Sequence, residues 1–288
     1  MKEDFQKHQV ASTDGYQLEA RVYQGNGDRN KILLIAGATG VPQRYYKRFA
    51  HLMMTKGFTV ISFDYRGIAD SKYQSLKGFD ASVLDWAFKD YQSVLQWTLK
   101  EYGDPYVIGH SLGGHIFGII TDSEKTRGLI TFGTGAGWHG WMPPLEKYRV
   151  AFLWNILGPM LVPFYGYLPS KLVGIGENLP FQVYKQWKHW CSFPHYWFDD
   201  PQFEYTSNFS HITVPVTAVN STDDVWAPPK SAEAFMKHYQ NASLKYETIT
   251  STEWKVKNIG HMGYFHSDCL HHTATLIADE TNLNENKV

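Results

Sequence analysis

The stretch YVIGHSLGGHIFGII, residues 106–120, sets one hydroxyl, that of Ser111, between Gly109 and Gly113 at the junction of two apolar runs. A serine so placed suits nucleophilic attack on a carbonyl carbon, provided that a base takes its proton. A strand ending at His110 and a helix beginning after Ser111 leave almost no room for a turn. The middle residue is then forced into a strained conformation, and the residues two before and two after must be small because the two backbones nearly touch. This is the G-x-S-x-G nucleophile elbow, which lifts the serine Oγ above the sheet beside a helix N-terminus.

The base and acid are expected later in the chain, in the order Ser, Asp, His. After the apolar run VPVTAVN comes STDDVWAPP, with Asp223 and Asp224 adjacent at a strand end. After the next strand comes NIGHMGYF, in which His261 follows Gly260. Both lie where open α/β sheets place ligands, at strand C-termini. Thirteen histidines compete for the role. His266, His271 and His272 are close by, the latter two inside the final helical pattern, and His261 is the expected base. Neighbouring carboxylates point in different directions, so one of the two aspartates reaches it; the Asp-x-x-x-Pro spacing to Pro228 favours Asp224, with Asp223 as the alternative. The oxyanion needs two backbone N–H donors. Leu112, directly after the nucleophile, supplies one. The open AGATG loop supplies the other, with Ala38 preferred and Thr39 as its alternative.

These positions need a scaffold. KILLIAG, FTVISFD, PYVIGH, RGLITFG and VPVTAVN are continuous apolar runs, as strands covered on both faces should be. Pro42 opens a helix to Lys56 with Tyr46, Phe49, Leu52 and Met53 on one face. Asp80 is the expected N-cap of a helix to Tyr102, striped by Val83, Ala87, Tyr91, Val94 and Leu95. SLKYETI reads as a strand, and a last helix is expected from near His266. The alternation predicts an α/β fold: a mostly parallel sheet with helices on both faces.

Between Trp138 and about Ser210 the alternation breaks. That segment holds six of the ten tryptophans: Trp138, Trp141, Trp154, Trp187, Trp190 and Trp197. It reads as an inserted aromatic-rich cap, giving a core over residues 1–137, a cap over 138–210, the rest of the core over 211–278 and a polar, frayed tail over 279–288. Trp138, Trp141, Trp187 and Trp190 are the expected substrate-binding residues. No charged anchor for a peptide carboxylate is identifiable near the site, so an apolar ester of medium size is the expected substrate.

A net charge of −1 gives no nucleic-acid footprint. Cys191 and Cys269 are too few and too far apart for a disulfide framework and fit a reducing, cytoplasmic setting. No signal peptide is read at the N-terminus. Val150–Tyr167 has spanning length, but Asn155, Gly158, Pro159 and Pro163 interrupt it. A buried or cap helix pair is expected there, with weak lipid-surface contact as the alternative and no transmembrane span. GTGAG (133–137) lacks the spacing of a dinucleotide loop, and His271–His272 lacks metal-ligand partners, so no cofactor and no metal are expected. DYRGIADS is expected to tie a loop beneath the site through Asp64 and Arg66. The oligomeric state is open.

GHSLGG, the DYRG loop, the late Asp pair and the isolated Gly–His resemble the α/β-hydrolase superfamily, of the serine-aminopeptidase-like and lysophospholipase-like kind. ATGVPQRYYKRFA, DWAFKD, DDVWAPP, IGHMGYF, GYLPSKLVGIGENLP and WKHWCSFPHY are similar to one bacterial subfamily of predicted α/β-hydrolases, across about residues 10 to 278. The resemblance implies a triad of Ser111, Asp224 and His261 and an acyl-enzyme resolved by water. Ala36 stands where many relatives have histidine. A dehalogenase is disfavoured, since its nucleophile would be a carboxylate where this chain has Ser111. An acyltransferase or a peptidase on the same triad, and a silent binder of apolar ligands, are the alternatives.

Overall fold

The computed structural model describes residues 4–285. Eight strands form one sheet: β1 (Gln6–Ala11), β2 (Gln17–Tyr23), β3 (Ile32–Ala36), β4 (Thr59–Phe63), β5 (Tyr106–His110), β6 (Gly128–Phe132), β9 (Val216–Ser221) and β10 (Leu244–Ile249), with β7 (Tyr167–Leu168) and β8 (Leu179–Pro180) making a small separate hairpin. The order across the sheet is β1-β2-β4-β3-β5-β6-β9-β10. β1 and β2 are antiparallel to each other, β2 is antiparallel to β4, and every later pairing in the sheet is parallel. β1, largely exposed, has too weak an alternation to be read from sequence.

The central strands are buried along their whole length because successive side chains feed two different cores. Leu33, Ile35, Val60, Ile108 and Ile130 join a cluster with Phe49 and Met53 of α1 (Lys47–Thr55) and Ala274 and Ile277 of α9 (Leu270–Glu285). Leu34, Ile61 and Val107 join the opposite cluster, with Val94 and Leu95 of α3 (Gln92–Glu101), Ile116 of α4 (Leu112–Phe117) and Phe235 of α8 (Pro229–Met236).

Three local expectations change. The helix before β5 is capped by Ser82, not Asp80: its hydroxyl accepts from the Asp85 N–H at 3.1 Å, and the Asp85 carboxylate accepts from the Ser82 N–H at 2.8 Å. This reciprocal box satisfies two end donors that a cap at Asp80 would leave open. The helix then runs through α2 (Val83–Asp85) and a π-helical stretch, Trp86–Tyr91, into α3. That stretch turns Trp86 and Asp90 inward onto Arg66, whose carbonyl accepts from Trp86 Nε1 and whose Nε donates to Asp90 at 2.7 Å. The last helix starts at Leu270 rather than near His266, after a 3-10 turn over Gly263–Phe265. It also continues through most of the expected frayed tail, to Glu285. Glu280 explains this: buried on that helix, it accepts from Thr217 at 2.9 Å and Lys245 at 2.5 Å, both on the sheet. Residues 286–288 of that tail lie outside the described residues.

Between β6 and β9 the chain leaves the sheet. It forms α5 (Pro144–Phe152), a π-helical stretch Leu153–Leu157 and α6 (Gly158–Tyr165) in direct succession, then the small hairpin, α7 (Phe181–Trp190) and 3-10 turns. Trp154, Trp190, Trp197, Phe203 and Phe209 from this segment pack into the same cluster as α3, α4 and α8.

Candidate active site

β5 delivers Ser111 into a left-handed conformation, φ 50° and ψ −110°. A non-glycine residue there is strained, and such strain gathers at functional sites. The glycines make it possible. A Cβ on Gly109 would sit 2.7 Å from Gly114 Cα, and one on Gly113 would sit 2.0 Å from the Ala36 carbonyl oxygen. Backbones of strand and helix meet at those two points, so both positions exclude any side chain.

Ser111 Oγ lies 3.1 Å from His261 Nε2, and His261 Nδ1 lies 2.9 Å from Asp224 Oδ2. Because a carboxylate only accepts, Nδ1 carries the proton and the Nε2 lone pair faces the serine hydroxyl. Asp224 is fully buried. Burial raises its carboxyl, but His261 and the N–H groups of Ala227 and Trp226 outweigh that and hold it below the usual carboxylate range. The Tyr264 hydroxyl adds a donor at 3.2 Å.

Asp223 does different work. It accepts from the Ile259 N–H at 2.9 Å and the Gly260 N–H at 2.8 Å, so it shapes the loop that carries His261 without touching the imidazole. Asp224 is therefore the carboxylate that the structure brings to His261.

The oxyanion loop departs from expectation. The Ala38 N–H donates to the Tyr46 hydroxyl at 3.0 Å, so it is engaged in the protein interior. Tyr46 in turn lies 2.8 Å from His110 Nδ1, and His110 Nε2 lies 2.9 Å from the His261 carbonyl. That carbonyl can only accept, which puts the His110 proton on Nε2 and makes Nδ1 the acceptor of the Tyr46 O–H. Burial pushes His110 down to about 3, so the ring is neutral, as this chain of bonds requires. Leu112 begins α4, where helix geometry leaves its N–H without an intrahelical acceptor. Ala38 and Thr39 both line the cavity that holds Ser111.

That cavity measures about 580 Å³ and holds Ser111 and His261 in its wall. Val41, Pro42, Val150, Leu153, Leu157, Ile175 and Met262 make most of it apolar. Of the four tryptophans expected at substrate, Trp187 lines it; Trp138, Trp141 and Trp190 do not. Trp190 is buried among Tyr196, Trp197 and Phe203 with its Nε1 donating to Asp200, and Trp141 donates to the Pro194 carbonyl. Trp190 therefore belongs to the buried core of the segment, beside Val150, Leu153 and Phe203, rather than to the cavity wall. Trp226 was missed: it stacks on Trp187 at 5.9 Å and lies 6.4 Å from the His261 ring. Its place two residues after Asp224 was the available signal. Tyr46, His110 and Tyr264 carried none, since their partners are remote in sequence. The cavity also has charged groups where none was expected, Glu146 and Arg149, 3.5 Å apart on α5.

Asp64 and Arg66 hold the loop after β4. Asp64 accepts from the Gln43 N–H at 2.7 Å and the Asp70 N–H at 3.2 Å, while Arg66 bridges Asp90 and Asp14, each at 2.7 Å. Among the described residues no three His, Cys, Asp or Glu side chains are grouped to hold a metal ion.

A family model described as "Alpha/beta hydrolase family" matches residues 32–269, which hold six of the sheet's eight strands and Ser111, Asp224 and His261. The chain belongs to the alpha/beta hydrolase family. A 31.7 kDa protein of Escherichia coli, from the traX-finO intergenic region, is 28% identical to it over 131 residues. That match covers 41% of this chain and 42% of the relative, less than half the length of each. Among solved structures, a thermophilic esterase from Thermogutta terrifontis aligns over 97% of this hydrolase and 99% of its own chain, with TM-score 0.60 and 16% identity. Mouse alpha/beta hydrolase domain-containing protein 10 aligns over 96% and 98%, with TM-score 0.58 and 15% identity. At such identities the likeness is one of fold, and the chemistry of this alpha/beta hydrolase rests on its own residues.

Proposed function

We propose that this alpha/beta hydrolase is a serine hydrolase that cleaves a carboxylic ester bearing an apolar group. The observation that carries the reading is the unbroken relay from Ser111 Oγ through the His261 ring to Asp224 at the wall of a largely apolar cavity. Ser111 Oγ bonds to the ester carbonyl carbon while His261 Nε2 takes its proton. The oxyanion is held by the N–H groups of Leu112 and Thr39. The C–O bond of the ester then breaks, and His261 returns the proton to the leaving alcohol. Water attacks the acyl-enzyme with His261 as base, and the departing Ser111 oxygen regains a proton. Asp224 stays ionised, orients the imidazole and stabilises its cation.

In this reading residues 138–210 act as a cap between the two parts of the core, 1–137 and 211–278. Trp187 and Trp226 are the aromatic contacts for substrate. The apolar wall favours an ester over a peptide, and Glu146 and Arg149 are polar contacts in the same cavity. The test is turnover across a panel of esters of increasing acyl length, set beside aminoacyl amides. Ester turnover that peaks at medium length and is lost in Ser111→Ala supports the proposal. Amide turnover without ester turnover overturns it.

A further inference from the structure

From Pro144 to Tyr165 the chain is helical throughout, and one face of it is largely exposed. Leu145, Tyr148, Phe152, Ile156, Met160 and Phe164 recur at spacings of three and four, which places them in a single stripe. They are 48 to 83% exposed. The opposite face, with Val150, Trp154 and Val162, is buried in the protein core. Between Val150 and Tyr165 there is no charged residue, and Asn155 is the sole polar side chain. An exposed apolar run of this length is a binding surface rather than ordinary exterior.

We propose that this face docks onto an anionic lipid surface. Three observations select that occupant. The charges at its ends are cationic: Lys147 and Arg149 are exposed on α5, and the exposed Lys77 lies along Gly166 at the far end. The one carboxylate on the helix, Glu146, is turned inward to the cavity wall. An apolar stripe flanked by Lys and Arg is the pattern of a helix lying in the plane of an anionic bilayer. The face is also continuous with the cavity, since Phe152 and Arg149 belong to both. A lipid surface seated there would present apolar molecules directly at the entrance, whereas a second protein copy would cover it. No helix among the described residues is long and apolar enough to cross a membrane, so the contact is with the surface.

This inference rests on the ester-hydrolase reading only for its purpose; the docking is measured separately. The full chain is sedimented with vesicles of phosphatidylcholine alone and of phosphatidylcholine mixed with phosphatidylglycerol, beside the variant Leu145→Ser/Met160→Ser/Phe164→Ser. None of these three residues lines the cavity, and their exposure leaves the fold intact, which a thermal melt checks. Wild type is expected to sediment with the phosphatidylglycerol vesicles, less with phosphatidylcholine and less as salt rises, with binding at least tenfold weaker in the variant. Turnover of a water-soluble short-chain ester is expected to be equal in both. Wild type that stays in the supernatant with every vesicle, or a variant that sediments like wild type, overturns the proposal. A dimer abolished by the variant, with no vesicle binding, overturns it in favour of a second copy. Vesicle binding by a protein with no ester turnover upholds the docking and removes the hydrolase reading instead.

Discussion

The backbone N–H of Ala38 donates to the Tyr46 hydroxyl at 3.0 Å, and that bond removes it from the pair of donors that would face an oxyanion. The proposed donors are then Leu112 and Thr39. In a crystal structure of the enzyme phosphonylated on Ser111, the phosphoryl oxygen is expected at about 2.7–3.1 Å from the N atoms of Leu112 and Thr39, with Ala38 still on Tyr46. An oxygen held by Ala38, with Tyr46 displaced, would refute the assignment. Tyr46→Phe leaves two buried partners unpaired and is expected to cost roughly 1–3 kcal/mol of stability, read by denaturant unfolding.

Asp223 and Asp224 are neighbours with separate tasks, and substitution should separate them. Asp224→Asn is expected to lower kcat by about 10⁴-fold, because the imidazole loses the partner that sets its tautomer. Asp223→Ala is expected to lower stability by roughly 1–3 kcal/mol through the unpaired Ile259 and Gly260 N–H groups. Its kcat should stay within about tenfold of wild type, since the relay itself is intact. Equal losses of kcat in the two variants would contradict the division.

His110 gives the fold a pH dependence of known sign. Folded, it takes a proton only near pH 3, whereas an ordinary histidine takes one near 6.5. Between those values the unfolded chain binds the extra proton. The stability owed to this residue is therefore complete above about pH 6.5 and falls, by roughly 1.4 kcal/mol per pH unit, as the pH drops toward 3. Asp64, pushed by burial to about 6, works in the opposite direction, so the clean measurement is a difference. The stability gap between wild type and His110→Gln is expected to narrow steadily below pH 6.5. A gap constant from pH 7 to 5 would show that the ring is not buried neutral.

Trp187 should set the depth of the cavity. Trp187→Ala is expected to shift the preferred ester toward longer chains and to lower kcat/KM for short ones. Trp138→Ala should leave the chain-length profile within about twofold of wild type, as for a substitution away from the site. The reverse pattern would restore Trp138 to the substrate wall.

Much of this was legible because local chemistry and global fold agree. The continuous apolar strands announce a sheet buried on both faces, and Gly109 and Gly113 announce the elbow at Ser111, since no other residue fits where the backbones meet. What stayed hidden depends on contacts between distant segments. Tyr46 looks like one more stripe residue of a helix until His110 and Ala38 are placed against it, and Glu280 looks like part of a solvated tail until Thr217 and Lys245 reach it. Counting tryptophans showed that an aromatic-rich unit exists between β6 and β9, but not which rings face the cavity and which fill the core.

The central claim is that Ser111 is activated by His261. Intact mass after exposure to a fluorophosphonate, for wild type beside Ser111→Ala and His261→Ala, tests it most directly. The account predicts a single adduct on wild type and none on either variant. A folded wild type that takes no adduct, or a Ser111→Ala variant that still takes one, would contradict it.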